Sequence, residues 1–218
     1  MSLAIFDLDE TLIATDSDHA WGEYVVASGF VDADEYTAKN NEFYESYKRG
    51  ELDIDAYLTF SCAMLPAYSM AELNDMRQNF IDDFIAPKVL SKALALVERH
   101  RSQEDHLMII TATNQFITEP IATLFDISTL IAPVLEICDG RYTGQILGTP
   151  SFGAGKVTRL FEWLTTNDQT LSGSFFYSDS HNDLPLLQEV THPIAVDPDE
   201  LLRGQAEKEK WPIISLRD

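Results

Sequence analysis

Asp7 and Asp9 stand two residues apart where the short apolar run Leu3-Ala4-Ile5-Phe6 ends. In extended chain their side chains project to one side while Leu8 projects to the other. Carboxylates held that close repel unless a proton or a cation lies between them. A divalent cation is the simplest remedy, and carboxylate oxygens suit Mg2+. The same stretch also reads as a turn or a helix N-cap, since Asp is common in both. Thr111, Asp179 and Asp183 likewise stand after apolar runs, and Lys156 follows Gly153-Ala154-Gly155. Each of these alone has a structural explanation: Thr111 as a helix cap, Lys156 as a solvated first-turn lysine, Asp179 as a strand end.

The elements that must position these residues are legible in the apolar pattern. Leu3 to Phe6, Leu107 to Ile110, Ser174 to Tyr177 and Ile194 to Val196 are strand-length runs, and Leu130 to Ala132 is a further candidate. Helical patterns separate them: Leu90, Ala93, Leu94 and Val97 recur at one-face spacing, a second helix follows Asn114, and a third opens at Gly153. Asn182-Asp183-Leu184-Pro185 starts another, and one more begins near Pro198. Val134 to Cys138 and Arg141 to Ile146, joined by Asp139-Gly140, read as a hairpin with a type I′ turn. Strands alternating with helices predict an α/β fold with a doubly wound parallel sheet, a Rossmann-like core whose ligands sit at the carboxyl ends of the strands.

Between Asp16 and Phe84 the pattern is helical without strands. Asp16 or Ser17 caps a helix that Gly29 stops, and helices follow through Asp34 to Arg49 and Asp53 to Leu65. Ser69 with Glu72 is a capping-box signature for a helix whose face carries Leu73, Met76, Phe80 and Phe84. The expected organisation is an α/β core of residues 1–15 and 86–218, with a helical cap subdomain inserted at 16–85.

The 218 residues suffice for one core with an inserted subdomain, and 45% hydrophobic with 23% charged residues is ordinary globular composition. The net charge of −21, with no offsetting Lys/Arg cluster, disfavours nucleic acid and anionic membranes as partners. It also opposes an anionic substrate unless metal and lysine create a local positive site. No signal-peptide pattern and no membrane-spanning run is present, so a soluble cytoplasmic protein is expected. Cys62 and Cys138 lie far apart outside any C-x-x-C pattern and are expected as small core residues in a reducing compartment.

Taken in order, Asp7-Leu8-Asp9-Glu10-Thr11-Leu12, Thr111, Lys156 and Asp179-Ser180-His181-Asn182-Asp183 resemble the four motifs of the haloacid dehalogenase superfamily of phosphatases. The resemblance spans nearly the whole chain. The helical insert directly after the first motif resembles the branch with a small helical cap that includes the phosphoserine phosphatases. Within it, Asp16-Ser17-Asp18-His19-Ala20-Trp21 and Tyr177-Ser178-Asp179 are similar to a bacterial group described as histidinol-phosphatase-like.

That resemblance implies a Mg2+-dependent phosphomonoester hydrolase. Asp7 would be the nucleophile that forms an aspartyl-phosphate, and Asp9 the acid for the leaving alkoxide and then the base for water. Mg2+ would be held by Asp7, Asp179 and the backbone carbonyl of Asp9. Asp183, with Asn182, would act through a metal-bound water or by orienting the surrounding groups. Lys156 and Thr111 would bind the phosphate. Lys156 is not a nucleotide P-loop lysine: the four-residue glycine gap is absent, and Val157 stands where Ser or Thr should be. A receiver-type signalling module is disfavoured by Asp9 and by the helical insert. Dehalogenase chemistry is disfavoured by Asp9 as well, whereas phosphotransfer to a sugar hydroxyl needs the same residues.

The cap residues expected at the substrate are Asp16, Asp18 and His19. Asp16 falls where the resembled phosphoserine phosphatases carry an acid for the substrate ammonium. No arginine occurs between Arg49 and Arg77 to clamp a carboxylate as those enzymes do. The expected substrate is therefore a small amino-alcohol phosphate, histidinol phosphate, with phosphoserine as the alternative.

Overall fold

A computed structural model describes residues 2–217. Six strands form one parallel sheet: β1 (Leu3–Phe6), β2 (His106–Ile110), β3 (Thr129–Ile131), β6 (Phe175–Ser178), β7 (His192–Val196) and β8 (Ile213–Ile214), in the order β3-β2-β1-β6-β7-β8. The chain builds outward from β1 to β3, then returns to β6 on the opposite side of β1. The loops after β1 and β6 therefore diverge around a crevice, the place where doubly wound sheets bind ligands.

Strand β1 is an unbroken apolar run because both faces of the sheet are covered. Leu3 and Ile5 pack with α7 (Ala154–Asn167), α8 (Leu184–Leu187) and α9 (Glu200–Glu209). Ala4 and Phe6 pack with α5 (Ser91–Ser102) and α6 (Gln115–Leu124). The buried stripe of α5 is Ala93, Leu96, Val97 and His100, so Leu94, expected on that face, is 41% exposed. A helix turns about 100° per residue, and with Leu96 and His100 in the stripe position 94 falls outside it.

Residues 17–80 are helical: α1 (Ser17–Ala27), α2 (Ala33–Lys48), α3 (Ile54–Cys62) and α4 (Met70–Phe80). Asp16 caps α1 by accepting from the backbone N–H of Asp18 and His19, and the Ser69/Glu72 capping box opens α4. A five-residue π-helix, Ile81–Ile85, follows α4. Its wider turn shifts the helical phase, and Phe84 departs from the Leu73, Met76 and Phe80 stripe to stand 36% exposed. Trp21 meets Phe80 and Phe116 edge-on at 5.3 and 5.5 Å, which joins α1 and α4 to α6 in one apolar cluster.

The hairpin of β4 (Val134–Cys138) and β5 (Arg141–Leu147) turns at Asp139 and Gly140, with φ of 48° and 74° as a type I′ turn requires. Cys62 is buried as expected, but Cys138 is exposed, because the end of β4 lies beyond the sheet core where the hairpin projects. Among the described residues no helix is long and apolar enough to cross a membrane.

Candidate active site

Asp7 leaves the end of β1 with its backbone N–H donating to the Tyr177 carbonyl at 2.9 Å, so its carboxylate is fixed between β1 and β6. Lys156, in the first turn of α7, places Nζ 2.8 Å from Asp7 Oδ1 and 2.7 Å from Asp183 Oδ1, all three side chains being buried. The Ser178 hydroxyl donates to Asp183 Oδ2 at 2.7 Å, so Asp183 is the residue that holds Lys156 in place. Burial alone would lower the Lys156 ammonium, but contact with Asp183 and Asp7 outweighs it and its pKa is raised. Burial pushes Asp7 up to about 7 against the pull of that ammonium. Asp179, at the end of β6, accepts from the Thr11 hydroxyl at 3.0 Å, and burial with the nearby Asp7 charge raises it well above the usual carboxylate range.

Both oxygens of Asp9 accept: Oδ1 from the Ser17 backbone N–H at 2.8 Å, Oδ2 from the Thr113 hydroxyl at 2.7 Å. Burial and then Asp16 push Asp9 up to about 7. The Thr111 hydroxyl oxygen accepts from the Thr113 N–H at 3.2 Å, which leaves its own proton free to donate. Thr113 was not singled out in the sequence, although a second threonine in Thr111-Ala112-Thr113-Asn114 was a visible signal.

Above this floor lies a cavity walled by Asp16, Asp18 and His19 of the α1 start, by Asn40, Phe43, Tyr44 and Tyr47 of α2, and by Tyr57 and Phe152. Its free volume is about 50 Å³, room for a few waters. Lys156 is the only Lys or Arg among the described lining residues. Asp18 is 6% exposed, and its Oδ1 has no hydrogen-bond partner. Burial first, then the Asp16 and Asp9 charges, raise Asp18 well above its usual value. Burial likewise pushes Asp16 up to about 6. The His19 ring stacks on Tyr44, centroids 4.3 Å apart. The Asn182 amide donates to the Tyr47 carbonyl at 3.2 Å and ties the loop after β6 to the end of α2. Glu10 and His181 do not line the cavity; Glu10 is clamped by Arg217, and His181 Nδ1 sits 2.7 Å from Asp199 Oδ2.

The donors here suit the divalent metal expected from the motifs. Among the described residues no three His, Cys, Asp or Glu groups form a ready-made cage. Mg2+ needs none, since it is held by one or two carboxylates and completes its shell with water and substrate phosphate. Asp7 and Asp179 present such a pair, crowded enough that the Asp7 charge raises Asp179.

Residues 4–188 match the haloacid dehalogenase-like hydrolase family. The chain belongs to the haloacid dehalogenase-like hydrolases. It is 46% identical over 220 residues to a protein of Neisseria meningitidis serogroup C named histidinol-phosphatase, the match covering 99% of each chain. It is 28% identical to the phosphoserine phosphatase SerB1 of Mycobacterium tuberculosis, covering 98% of this chain and 70% of that one. A solved structure of a Bordetella pertussis Tohama I protein of unknown function superposes with a TM-score of 0.93 at 42% identity, covering 99% and 98% of the two chains. A substrate-bound phosphoserine phosphatase superposes at 0.72 with 15% identity, covering 99% and 93%, a likeness of fold.

Proposed function

We propose that this phosphatase hydrolyses a small amino-alcohol phosphomonoester, histidinol phosphate, through an aspartyl-phosphate on Asp7. The observation that carries this reading is the polarity of the cavity. One end has the Lys156 ammonium over Asp7, and the other has crowded acids, Asp16 and Asp18, the latter with its Oδ1 unpartnered, and no Lys or Arg beside them among the described lining residues. A phosphate at the first end and a cationic group at the second complement it. The 46% identity to a protein named histidinol-phosphatase supports the same choice.

In the proposed reaction an Asp7 carboxylate oxygen forms a bond to phosphorus as the ester P–O bond breaks. The leaving alkoxide takes a proton from Asp9, whose value near 7 suits a group that must give and then take a proton at neutral pH. Asp9 next accepts a proton from the water that attacks phosphorus, and phosphate departs with Asp7 restored. Lys156 holds a fixed positive charge against the phosphoryl oxygens and Thr111 donates its free hydroxyl proton. Asp183, paired to Lys156 and Ser178, keeps that charge aimed at Asp7. Asp7, Asp179 and the Asp9 carbonyl would hold Mg2+, which when bound supplies charge neutralisation at the phosphoryl oxygens. Residues 16–85 act as a cap over the core of residues 1–15 and 86–218, and they exclude water during the transfer.

Phosphoserine is the second reading, favoured by the relative so named. The lining offers no guanidinium fork for its carboxylate. The deciding measurement is kcat/KM with Mg2+ for histidinol phosphate, phosphoserine, phosphoethanolamine and p-nitrophenyl phosphate. We expect histidinol phosphate to lead by at least about tenfold. A preference for phosphoserine, or a flat profile, overturns the proposal.

A further inference from the structure

Among the described lining residues His19 is the one ionisable nitrogen base beside Asp16 and Asp18. Its imidazole is held by Asn40 of α2, which is 4% exposed. The Asn40 amide nitrogen lies 3.0 Å from the His19 main-chain carbonyl and 3.1 Å from His19 Nδ1. A carbonyl oxygen only accepts, so the end of the amide facing it is the NH2 and not the oxygen. The second hydrogen of that NH2 meets Nδ1, which must therefore carry a lone pair. The imidazole proton then sits on Nε2 and the ring is neutral; an imidazolium would set two N–H donors head to head.

The close approach depends on Gly22. A Cβ at that position would stand 2.4 Å from Asn40 Nδ2. The ring is further fixed by its stack on Tyr44, with planes 18° apart. Burial pushes the His19 imidazole below its ordinary value of 6.5, with Glu23 and Glu45 pulling it up and Lys48 pulling it down. Asp16 on its own helix accepts from the His19 backbone N–H, and Glu23 stands 3.7 Å from Nε2.

A positive charge at His19 would be the internal counter-ion for Asp16 and Asp18, and would compete with any cation brought by the substrate. We propose that Asn40 is a specificity-positioning residue: it holds His19 as the neutral Nε2–H tautomer stacked on Tyr44, so that the acidic end of the cavity stays open to a cationic substrate head. This rests on the cationic-head reading of the same cavity.

Two measurements test it. Long-range 1H–15N spectra of the wild-type protein with ring-labelled histidine should show His19 as neutral Nε2–H from pH ~8 down to ~6, where an ordinary imidazole is largely protonated. An Nδ1–H tautomer or an imidazolium at pH ~7 overturns the proposal. The second is the ratio of kcat/KM for histidinol phosphate to that for p-nitrophenyl phosphate, whose head carries no charge. In Asn40→Leu, and in the smaller Asn40→Ala should the first fail to fold, Nδ1 is free to protonate. That ratio should then fall about tenfold more than in wild type between pH ~8 and ~6, through KM of the cationic ester. The substrates titrate identically against both proteins, so the difference belongs to the protein. A variant ratio that follows the wild type overturns the role of Asn40 alone. A wild type without preference for the cationic ester overturns the substrate reading and this proposal with it.

Discussion

Asp7 and Asp18 are both buried acids, and amide substitution should show in turnover at the first and in stability at the second. Asp7→Asn removes the proposed nucleophile and leaves Lys156 with one partner. Turnover should fall by at least about a thousandfold, with no phosphorylated protein in mass spectra after a quench. Asp18→Asn should raise Tm by about a few degrees at pH ~7, because it removes a carboxyl whose ionisation in the fold is opposed by burial, Asp16 and Asp9. Below its ordinary value of 3.8 that carboxyl is neutral in folded and unfolded chains alike. As pH rises the unfolded chain ionises first, so stability falls from 3.8 up to the raised folded value. The gain in the variant should therefore vanish near pH ~4, and a gain that persists there would point to repacking. At this scale the sequence was informative where motif order constrained it: Asp7, Asp9, Thr111 and Asp179 follow strand ends, Lys156 opens α7, and Asp7, Asp9, Lys156 and Asp183 line the cavity, whereas Thr111 and Asp179 do not. Asn40, Tyr44, Tyr47 and Tyr57 were not legible. They come from helices whose inward faces are polar because they wall a cavity, and such a face looks in sequence like one turned to solvent.

Helices α1 to α4 are expected to close over the end of the sheet when substrate binds, since a cap that moves can exclude water during transfer and still release product. The chain enters and leaves this group near Thr15 and through the π-helix Ile81–Ile85, and protease cleavage at Thr15 and at 84–88 should slow when Mg2+ and a phosphate mimic are added. Unchanged cleavage would mean a rigid insert. The end of α2 is the other point of attachment. Gly50 has φ of +70°, and a Cβ there would stand 2.6 Å from His181 Nε2. Gly50→Ala should cost about 1–2 kcal/mol in urea unfolding and raise KM, since it presses on the loop that carries Asn182. The helical nature of 17–80 was readable from caps such as Asp16 and the Ser69/Glu72 box, which are local hydrogen-bonding choices. The position of Phe84 was not, because nothing in Ile81-Asp82-Asp83-Phe84-Ile85 announces the insertion of an extra residue per turn.

For the whole molecule, the charge of −21 repels a phosphate dianion at long range while Lys156 attracts it only at contact. Raising monovalent salt from ~10 to ~150 mM shortens the screening length from about 30 to 8 Å. With Mg2+ held constant, kcat/KM should therefore rise, and a fall would mean that the local positive end steers the substrate from a distance. The parallel, doubly wound architecture was legible from strands alternating with helices, whereas the strand order depends on pairings that no local pattern encodes. The order has a consequence for how the protein is made. Strand β1 pairs Leu3 with His106 on one edge and Ala4 with Phe175 on the other. Strand β1, synthesised before the other described strands of its sheet, thus waits with one apolar edge after the other unpaired, while helices 17–80 are free to form from local contacts. Such distant partners make for slow folding and leave a nascent chain open to edge-to-edge association. Yield in rapid expression, and its recovery at low temperature or with chaperones, is where the central position of β1 would be felt.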